Sequence, residues 1–413
     1  MKPYFVTPEP LKGSDPNSFA FSTITDRLPR MIDRIIKEEN FSSRVRASLE
    51  KLRDDIPTSH IRQLTDFQAP DGAYWNAYLE KFWGKNWLQI PWFFAETYFY
   101  RRVLEATEYF IKSPFYHQDP FSEEKRRSLH HSWEEIQLMA ESFIRGATNS
   151  GPTLEEFSSH IYRALWGNQA DLSMWSSESG LQPKTESISG SNFVILDQCQ
   201  SAHNYLASVP AGPQQIDIVL DNIGLELLGD LCLADYFLNS YQSVKIILHV
   251  KAHPTFVSDA IESDVFHMIQ SLASDRLNPV RALGTRLQNY LTNSRIMLTT
   301  NWFWTSPLSG WEMPKALWGQ LRKSDLVIWK GDANYRRLLG DRHWPYQTRL
   351  AEIIWYAPTA FLAIRTLKAN VVCGLSYIQN RTLERQDPDW MINGKWGLIQ
   401  FQSSKSSDSR GNS

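Results

Sequence analysis

The stretch IDIVLDNIG, residues Ile216–Gly224, decides the fold class of this chain. Its first five residues form an unusually apolar run, which is typical of a strand buried on both faces of a parallel sheet. The same rhythm of a short apolar run and a helix-length segment recurs on both sides of it. The other runs are FVIL (Phe193–Leu196), VKIILHV (Val244–Val250), RIMLT (Arg295–Thr299), DLVIW (Asp325–Trp329) and FLAI (Phe361–Ile364). A final run, GLIQF (Gly397–Phe401), is expected to close an edge of the sheet.

The first 175 residues are predicted to be mainly helical, because strand-like alternation is scarce in them. Thr153 and Glu156 match the capping box that starts many helices. Apolar side chains then follow at helical spacing, at Leu154, Phe157, Ile161 and Leu165.

These patterns predict an α/β protein in which a helical N-terminal domain packs on a three-layer α/β/α domain with a mainly parallel sheet. A stretch rich in Ser, Gly and Pro separates the two parts, as is typical of a linker or exposed loop. The predicted division is a helical domain over 1–175, a linker over 176–191, a catalytic α/β/α domain over 192–402 and a disordered tail over 403–413.

Composition excludes several classes of protein. The chain has 413 residues, 42% of them apolar, and a formal charge of −2, which argues against a dedicated nucleic-acid binder. Three widely spaced cysteines exclude a disulfide scaffold. The N-terminal stretch lacks the apolar core of a signal peptide, and no apolar run is long enough for a membrane helix. We expect a cytoplasmic protein, with the nucleus as a second location; the oligomeric state stays open.

Oxygen-bearing side chains follow the decisive strand directly. Asp221 and Asn222 stand at its carboxyl end, where open α/β sheets bind their ligands. Such oxygen ligands suit Mg²⁺ or Mn²⁺. Glu226 and Asp230 lie four residues apart and therefore share one face of the next helix. The alternative is structural, since Asp and Asn are common in turns.

A third acidic residue, Asp259, follows the strand VKIILHV within the segment KAHPTFVSDA. It is a candidate metal ligand. It also fits a capping box with Glu262, and one aspartate can serve both roles.

Cations follow two later strands. The loop KGDANYR, Lys330–Arg336, combines two cations with neutral hydrogen-bonding groups suited to sugar hydroxyls. Arg365 and Lys368 follow the strand FLAI. Cations beside an acidic metal site are what a phosphate ester requires, although a polar turn is the alternative for the loop. A Walker A sequence, a G-x-S-x-G elbow and a G-x-G-x-x-G turn after a strand are all absent.

Several of these motifs, in the same order, resemble the damage-control phosphatases of subfamily III, which act on sugar phosphates. The resemblance extends to about Phe401. The motifs are Asp221-Asn222 with Glu226, KAHPTFVSDA, KGDANYR, R-T-x-K at Arg365–Lys368, PWFFAETYFYRR (Pro91–Arg102) and LWGNQADLS (Leu165–Ser173). In the last motif, Asn168 and Asp171 are expected to form a wall of the active site; the alternative is a helix end closed at Gly167 and Asn168.

The resemblance implies a divalent metal, usually Mn²⁺ with Ni²⁺ or Co²⁺ as substitutes, held by Asp221, Asn222 and Asp259. Asp221, Asn222, Asp259 and Lys368 are the implied catalytic residues. Contacts with a small phosphorylated sugar such as fructose 1-phosphate are implied for Asp221, Asn222, Asp332, Ala333, Asn334, Tyr335, Arg336 and Lys368. Some family members are also described as protein-glutamate O-methyltransferases, and for that activity Glu226 and Asp259 match positions assigned to S-adenosylmethionine.

The leading hypothesis is therefore a metal-dependent phosphatase of phosphorylated sugars. Whether water or a carboxylate attacks phosphorus stays open, with Asp221 the candidate in the second case. The rivals are an S-adenosylmethionine-dependent methyltransferase and a non-enzymatic module that binds a protein through exposed aromatic side chains.

Overall fold

The structure is a computed structural model that describes residues 3, 5–145, 152–167 and 193–403. The predicted linker at 176–191, Asn168, Asp171 and the tail from residue 404 lie outside the described residues. The division into domains therefore stays a prediction.

Helices precede the sheet, and the predicted capping box at Thr153 is present. The α-helices are α1 (Phe19–Ser22), α2 (Leu28–Glu38), α3 (Ser43–Asp55), α4 (Gly72–Leu79), α5 (Trp92–Ala106), α6 (Ser122–His131), α7 (Trp133–Arg145) and α8 (Leu154–Trp166). A π-helix at Thr23–Arg27 joins α1 to α2, and a 3₁₀ turn at Glu80–Phe82 follows α4.

Strands and helices then alternate as predicted. The strands are β1 (Val194–Asp197), β2 (Gln215–Val219), β3 (Lys245–Val250), β4 (Ile296–Thr300), β5 (Leu326–Lys330), β6 (Ala360–Thr366) and β7 (Gly397–Gln402). The helices between them are α9 (Cys199–Ser208), α10 (Leu225–Ser240), α11 (Glu262–Ala273), α12 (Asn278–Thr292), α13 (Lys315–Leu321), α14 (Asp332–Leu339), α15 (Leu350–Ile353) and α16 (Tyr377–Gln386), with 3₁₀ turns at Trp302–Thr305 and Gly310–Glu312.

The described strands form one seven-stranded sheet in the order β1-β7-β6-β5-β2-β3-β4. All its neighbours pair in parallel except β6 and β7, so the predicted α/β class with a mainly parallel sheet is confirmed. The expectation that β7 closes an edge is wrong: β7 lies between β1 and β6. It pairs in parallel with β1 and antiparallel with β6, and that choice of neighbours depends on long-range contacts that a strand's own sequence does not encode.

Apolar side chains cover both faces of the sheet. Because side chains alternate along a strand, Val219, Val327 and Trp329 share a core with helices α2, α3 and α5. Ile218 and Ile328 point to the opposite face and share a core with α7, α8 and α10–α12. The helices before β1 therefore contribute to both outer layers. In the described part of the chain, no helix is long and apolar enough to cross a membrane.

The strand order reverses between β2 and β5. From β2 the chain adds β3 and β4 on one side, then β5, β6 and β7 on the other. The connections that follow β2 and β5 lead to opposite sides of this strand pair. Open α/β sheets leave a crevice for a ligand at such a switch point. The polar residues after β2 and β5 therefore meet at the natural binding position of this fold.

Candidate functional site

A glycine with positive φ lies in each of the turns that follow β2 and β5. Gly224 precedes α10 with φ +75°, and Gly331 precedes α14 with φ +84°, a backbone conformation that side chains disfavour. A Cβ added at Gly331 would lie 1.8 Å from Asp221 Oδ2. Only glycine lets the Asp221 carboxylate rest against the start of α14.

Asp259 reaches the same place through backbone pairing. Ala260 N–H donates to the carbonyl oxygen of Asp221 at 2.8 Å, and Ile223 N–H donates to that of Ser258 at 2.8 Å. Asn222 and Asp259 are thereby paired as an isolated antiparallel bridge. The alternative that Asp259 caps a helix is wrong, because α11 begins at Glu262 and Asp264 Oδ2 accepts from Ile261 N–H instead.

The turn that delivers Asp259 has an unusual backbone. Phe256 and Val257 have φ values of 48° and 65°, and positive φ in a β-branched residue is a genuine outlier. Phe256 is held by aromatic contacts with α5, its ring centroid lying 4.9 Å from that of Tyr100 and 6.0 Å from that of Phe93. Strain of this kind collects at functional sites, where the surrounding packing enforces it.

Hydrogen bonds connect the predicted oxygen ligands. The Asn222 Nδ2 group donates to Asp221 Oδ2 at 2.9 Å and to Glu226 Oε2 at 3.0 Å. Ser258 Oγ donates to Asn222 Oδ1 at 2.6 Å, and Lys251 Nζ lies 2.8 Å from Asp259 Oδ2. The structure thus gathers Asp221, Asn222, Asp259 and Glu226 in one buried cluster.

The sequence did not single out Lys251 or Ser258. Lys251 directly follows β3, so the criterion that indicated Asp221, a polar residue just after a buried strand, also indicates Lys251. Its ammonium also donates to the carbonyl oxygen of Leu220 at 3.1 Å, which fixes the end of β2. Ser258 gave no signal beyond its position next to Asp259.

Burial and neighbouring charges together set the electrostatics of this cluster. Burial raises the pKa of Asp221 well above its ordinary value, and the Asp259 and Glu226 carboxylates raise it further, against Lys251 and Lys368. Burial likewise raises the pKa of Asp259, and the Lys251 ammonium opposes that effect. A divalent cation among these oxygens would offset the repulsion.

The donor set fits such a cation in its chemistry. In the described ranges, Asp221 Oδ1 is buried without a hydrogen-bond partner, and an orphaned buried oxygen is costly unless something binds it. No group of three His, Cys, Asp or Glu side chains converges on a metal position among those residues. The predicted set counts two carboxylates and one amide, so the metal stays a prediction.

The cations near the site differ in availability. Lys330, 1% exposed, is surrounded by protein: its Nζ lies 3.0 Å from Asp230 Oδ1 and donates to the carbonyl oxygen of Ala164 at 2.6 Å. Arg365 is paired with Asp332 at 2.7 Å. Lys368 is half-buried and has no ion-pair partner within the described part of the chain. Lys368 is therefore the cation that a phosphate group can reach.

The Asp332–Arg336 segment forms the first turns of α14, and most of its side chains point inward. Asn334 Nδ2 donates to the carbonyl oxygen of Leu220 at 3.0 Å. Tyr335 donates its hydroxyl to Gln400 at 2.6 Å. Only Asp332 and Ala333 stay half-exposed, and Asp332 Oδ1 accepts from the backbone N–H of Lys368 at 3.1 Å.

Arg336 belongs to the contact between α14 and α5. Its guanidinium lies 2.5 Å from Glu96 and 2.8 Å from Asp341, and it stacks over the Trp92 ring at 3.7 Å. The substrate contacts expected of Asn334, Tyr335 and Arg336 stay predictions. In this structure these three side chains are engaged by other protein groups.

Helix α8 closes the site from the side of the N-terminal helices. A Cβ added at Gly167 would lie 2.6 Å from the carbonyl oxygen of Leu225, so the end of α8 rests directly on the start of α10. The predicted wall residues Asn168 and Asp171 follow this contact but lie outside the described residues.

Fold and site together define a class: a doubly wound α/β protein with an acid–amide cluster at its topological switch point, beside a lysine that has no ion-pair partner in the described ranges. Residues 23–382 match the family model described as the damage-control phosphatase ARMT1-like domain. The chain belongs to this family. The resemblance inferred from the motifs is thereby confirmed, and the family name indicates a phosphatase.

Relatives of similar length support this assignment. The chain is 30% identical to the damage-control phosphatase ARMT1 of Danio rerio, over 96% of this chain and 97% of that protein. It is 32% identical to the Xenopus tropicalis protein of the same name, over 94% and 97%. A solved DUF89 family protein from Pyrococcus horikoshii is similar at 13% identity with a TM-score of 0.48, covering 87% of this chain and 93% of that one.

Proposed function

We propose that this protein is a metal-dependent phosphomonoesterase that hydrolyses small phosphorylated sugars, fructose 1-phosphate among them. One observation supports this most directly. The oxygens of Asp221, Asn222 and Asp259 adjoin the switch point, where Lys368 has no ion-pair partner among the residues that the structure describes. Oxygen ligands for a cation beside a free ammonium group form a complementary surface for a phosphate ester.

The residues of the chain have separate tasks in this proposal. Lys368 binds phosphoryl oxygens, and its backbone is fixed by Asp332 at 3.1 Å. The first amides of α14 have no acceptor within the helix, so they can donate to the phosphate or to a sugar hydroxyl. Asp221, Asn222 and Asp259 would hold the cation, Mn²⁺ by the family resemblance and Ni²⁺ or Co²⁺ as substitutes.

The metal, when bound, supplies a Lewis acid that polarises a phosphoryl oxygen and offsets negative charge. Lys368 adds a second positive charge from the protein side. Burial of the cluster keeps bulk water away, which strengthens both interactions.

A substrate screen tests this proposal. Purified protein is incubated with phosphorylated sugars, nucleotides and phosphoserine, each with Mn²⁺, Mg²⁺, Ni²⁺ or a chelator, and released phosphate is measured. We expect hydrolysis of ketose phosphates with Mn²⁺ and its loss with chelator. Hydrolysis that persists in chelator contradicts the metal dependence. Methyl transfer from S-adenosylmethionine to a glutamate side chain, without phosphate release, favours the methyltransferase instead.

A further inference from the structure

We propose that Glu226 is a positioning residue that fixes the orientation of the Asn222 amide and is not itself a metal ligand. The inference rests on the proposed function in one respect, since it takes Asn222 Oδ1 as the oxygen offered to the cation. Its geometric content concerns only the amide and its hydrogen bonds.

The hydrogen bonds of Asn222 define the orientation of its side chain. Both N–H groups are used, one by Asp221 Oδ2 at 2.9 Å and one by Glu226 Oε2 at 3.0 Å, while Oδ1 accepts from Ser258 at 2.6 Å. A 180° rotation of the amide would exchange its oxygen and nitrogen. It would break the bonds to Asp221 and Glu226 and turn N–H groups toward the proposed cation.

Glu226 is itself held on both sides. It lies in the first turn of α10, is 4% exposed, and its Oε1 is 3.6 Å from Lys330 Nζ while Oε2 faces Asn222. Lys330 is anchored in turn by Asp230 at 3.0 Å and by the carbonyl oxygen of Ala164 at 2.6 Å. Each carboxylate oxygen thus already faces a protein partner. A chain of contacts runs from helix α8 through Lys330 and Glu226 to Asn222.

The chemistry of this contact separates positioning from ligation. Asn222 needs only an acceptor oxygen from residue 226, and the side-chain carbonyl of a glutamine supplies one. If the Glu226 carboxylate ligated the cation, it would also contribute its negative charge, which glutamine lacks. Glu226→Gln therefore keeps the proposed role, whereas the apolar Glu226→Met removes it. Asp230→Asn is the matched control. Asp230 lies one helical turn after Glu226 and pairs with the same lysine, Lys330, whereas the hydrogen bond from Asn222 goes to Glu226.

Mn²⁺ alone is titrated calorimetrically into the full chain and its variants. We expect Glu226→Met to bind Mn²⁺ at least about tenfold more weakly, because the amide loses its preferred orientation. Glu226→Gln and Asp230→Asn are expected to stay within about threefold of the unchanged protein. An equal loss in Glu226→Gln and Glu226→Met would show that the charge is required and would overturn the proposal. If Glu226→Met does not fold, the comparison of Glu226→Gln with Asp230→Asn still shows whether Mn²⁺ binding requires the charge of Glu226.

A second readout needs neither metal nor activity. In protein labelled with ¹⁵N-asparagine, hydrogen exchange of the Asn222 side-chain amide is expected to be slow in the unchanged protein and in Glu226→Gln, and at least about tenfold faster in Glu226→Met. Equal exchange in all three overturns the proposal whatever the protein hydrolyses. Slow exchange lost only in Glu226→Met, without hydrolysis of any sugar phosphate, upholds the positioning role while the proposed function fails.

Discussion

The carboxyl ends of β2 and β5 lie side by side in the sheet, yet their charged groups are in opposite situations. After β2, Asp221 is crowded by other carboxylates, and its Oδ1 has no hydrogen-bond partner among the described residues. After β5, Lys330 has two acidic neighbours and a carbonyl oxygen, and Arg336 has Glu96 and Asp341. The unsatisfied carboxylate oxygen lies on the side of the switch point where we propose the metal site, and the paired cations lie on the side to which we assign a structural role.

The largest effect is expected at Asp221. Asp221→Ala removes a proposed metal ligand and should lower phosphatase activity by roughly 10³-fold or more. The folded protein should not lose stability in the absence of metal, because the change also removes a buried carboxylate repelled by Asp259 and Glu226. Phosphate release and thermal unfolding with chelator measure the two quantities. Wild-type Mn²⁺-dependent activity in a folded variant would refute the site.

Substitution of Lys330 should have the opposite effect on stability. Lys330→Met leaves Asp230 and Glu226 without their shared cation, and breaking a buried pair in this manner costs about 3–5 kcal/mol of unfolding free energy. Denaturant unfolding measures it. Arg286→Met is the control, since its pair with Asp235 is partly exposed and should contribute about 1 kcal/mol or less. Equal losses in the two variants would contradict a structural role for Lys330.

Lys368 sharpens the comparison, because it follows a strand as Lys330 does but has no ion pair within the part of the chain that the structure describes. Lys368→Met should lower kcat/KM for a sugar phosphate on the order of 10²-fold through lost charge stabilisation. Its unfolding free energy should change by no more than about 0.5 kcal/mol. Steady-state kinetics beside denaturant unfolding test both statements. A large loss of stability with intact kinetics would exchange the roles assigned to Lys368 and Lys330.

The smallest effect is expected in the strained turn that delivers Asp259. Val257 has φ 65°, which costs a residue with a Cβ about 1–2 kcal/mol and glycine almost nothing. Val257→Gly should therefore be more stable than Val257→Ala by about 1 kcal/mol, the reverse of the usual order for these two residues. Thermal unfolding of the two variants measures this difference in stability. The usual order would show that the turn is unstrained.

Local sequence patterns predict many residues of the candidate site. The pairing of the cations was not predictable in this way, for a physical reason. Asp221, Asn222 and Lys368 were selected because they follow buried strands, and the structure brings them to one edge of the sheet. The loop Lys330–Arg336 was selected by the same rule, but its cations turned out to be neutralised by residues far away in sequence, such as Glu96 for Arg336. A strand-end position identifies a polar residue without showing which partner it meets.

The sequence by itself determined the strands, the start of α8 at Thr153 and the oxygen donors after β2, because hydrophobic periodicity and capping are local properties of the chain. Only the tertiary structure decided that β7 inserts between β1 and β6 and that Asp259 pairs with Asn222 instead of capping α11. It alone showed that Lys368, unlike Lys330 and Arg336, has no ion-pair partner among the described residues. Pairing and burial depend on contacts between segments distant in sequence, and those contacts exist only once the chain has folded.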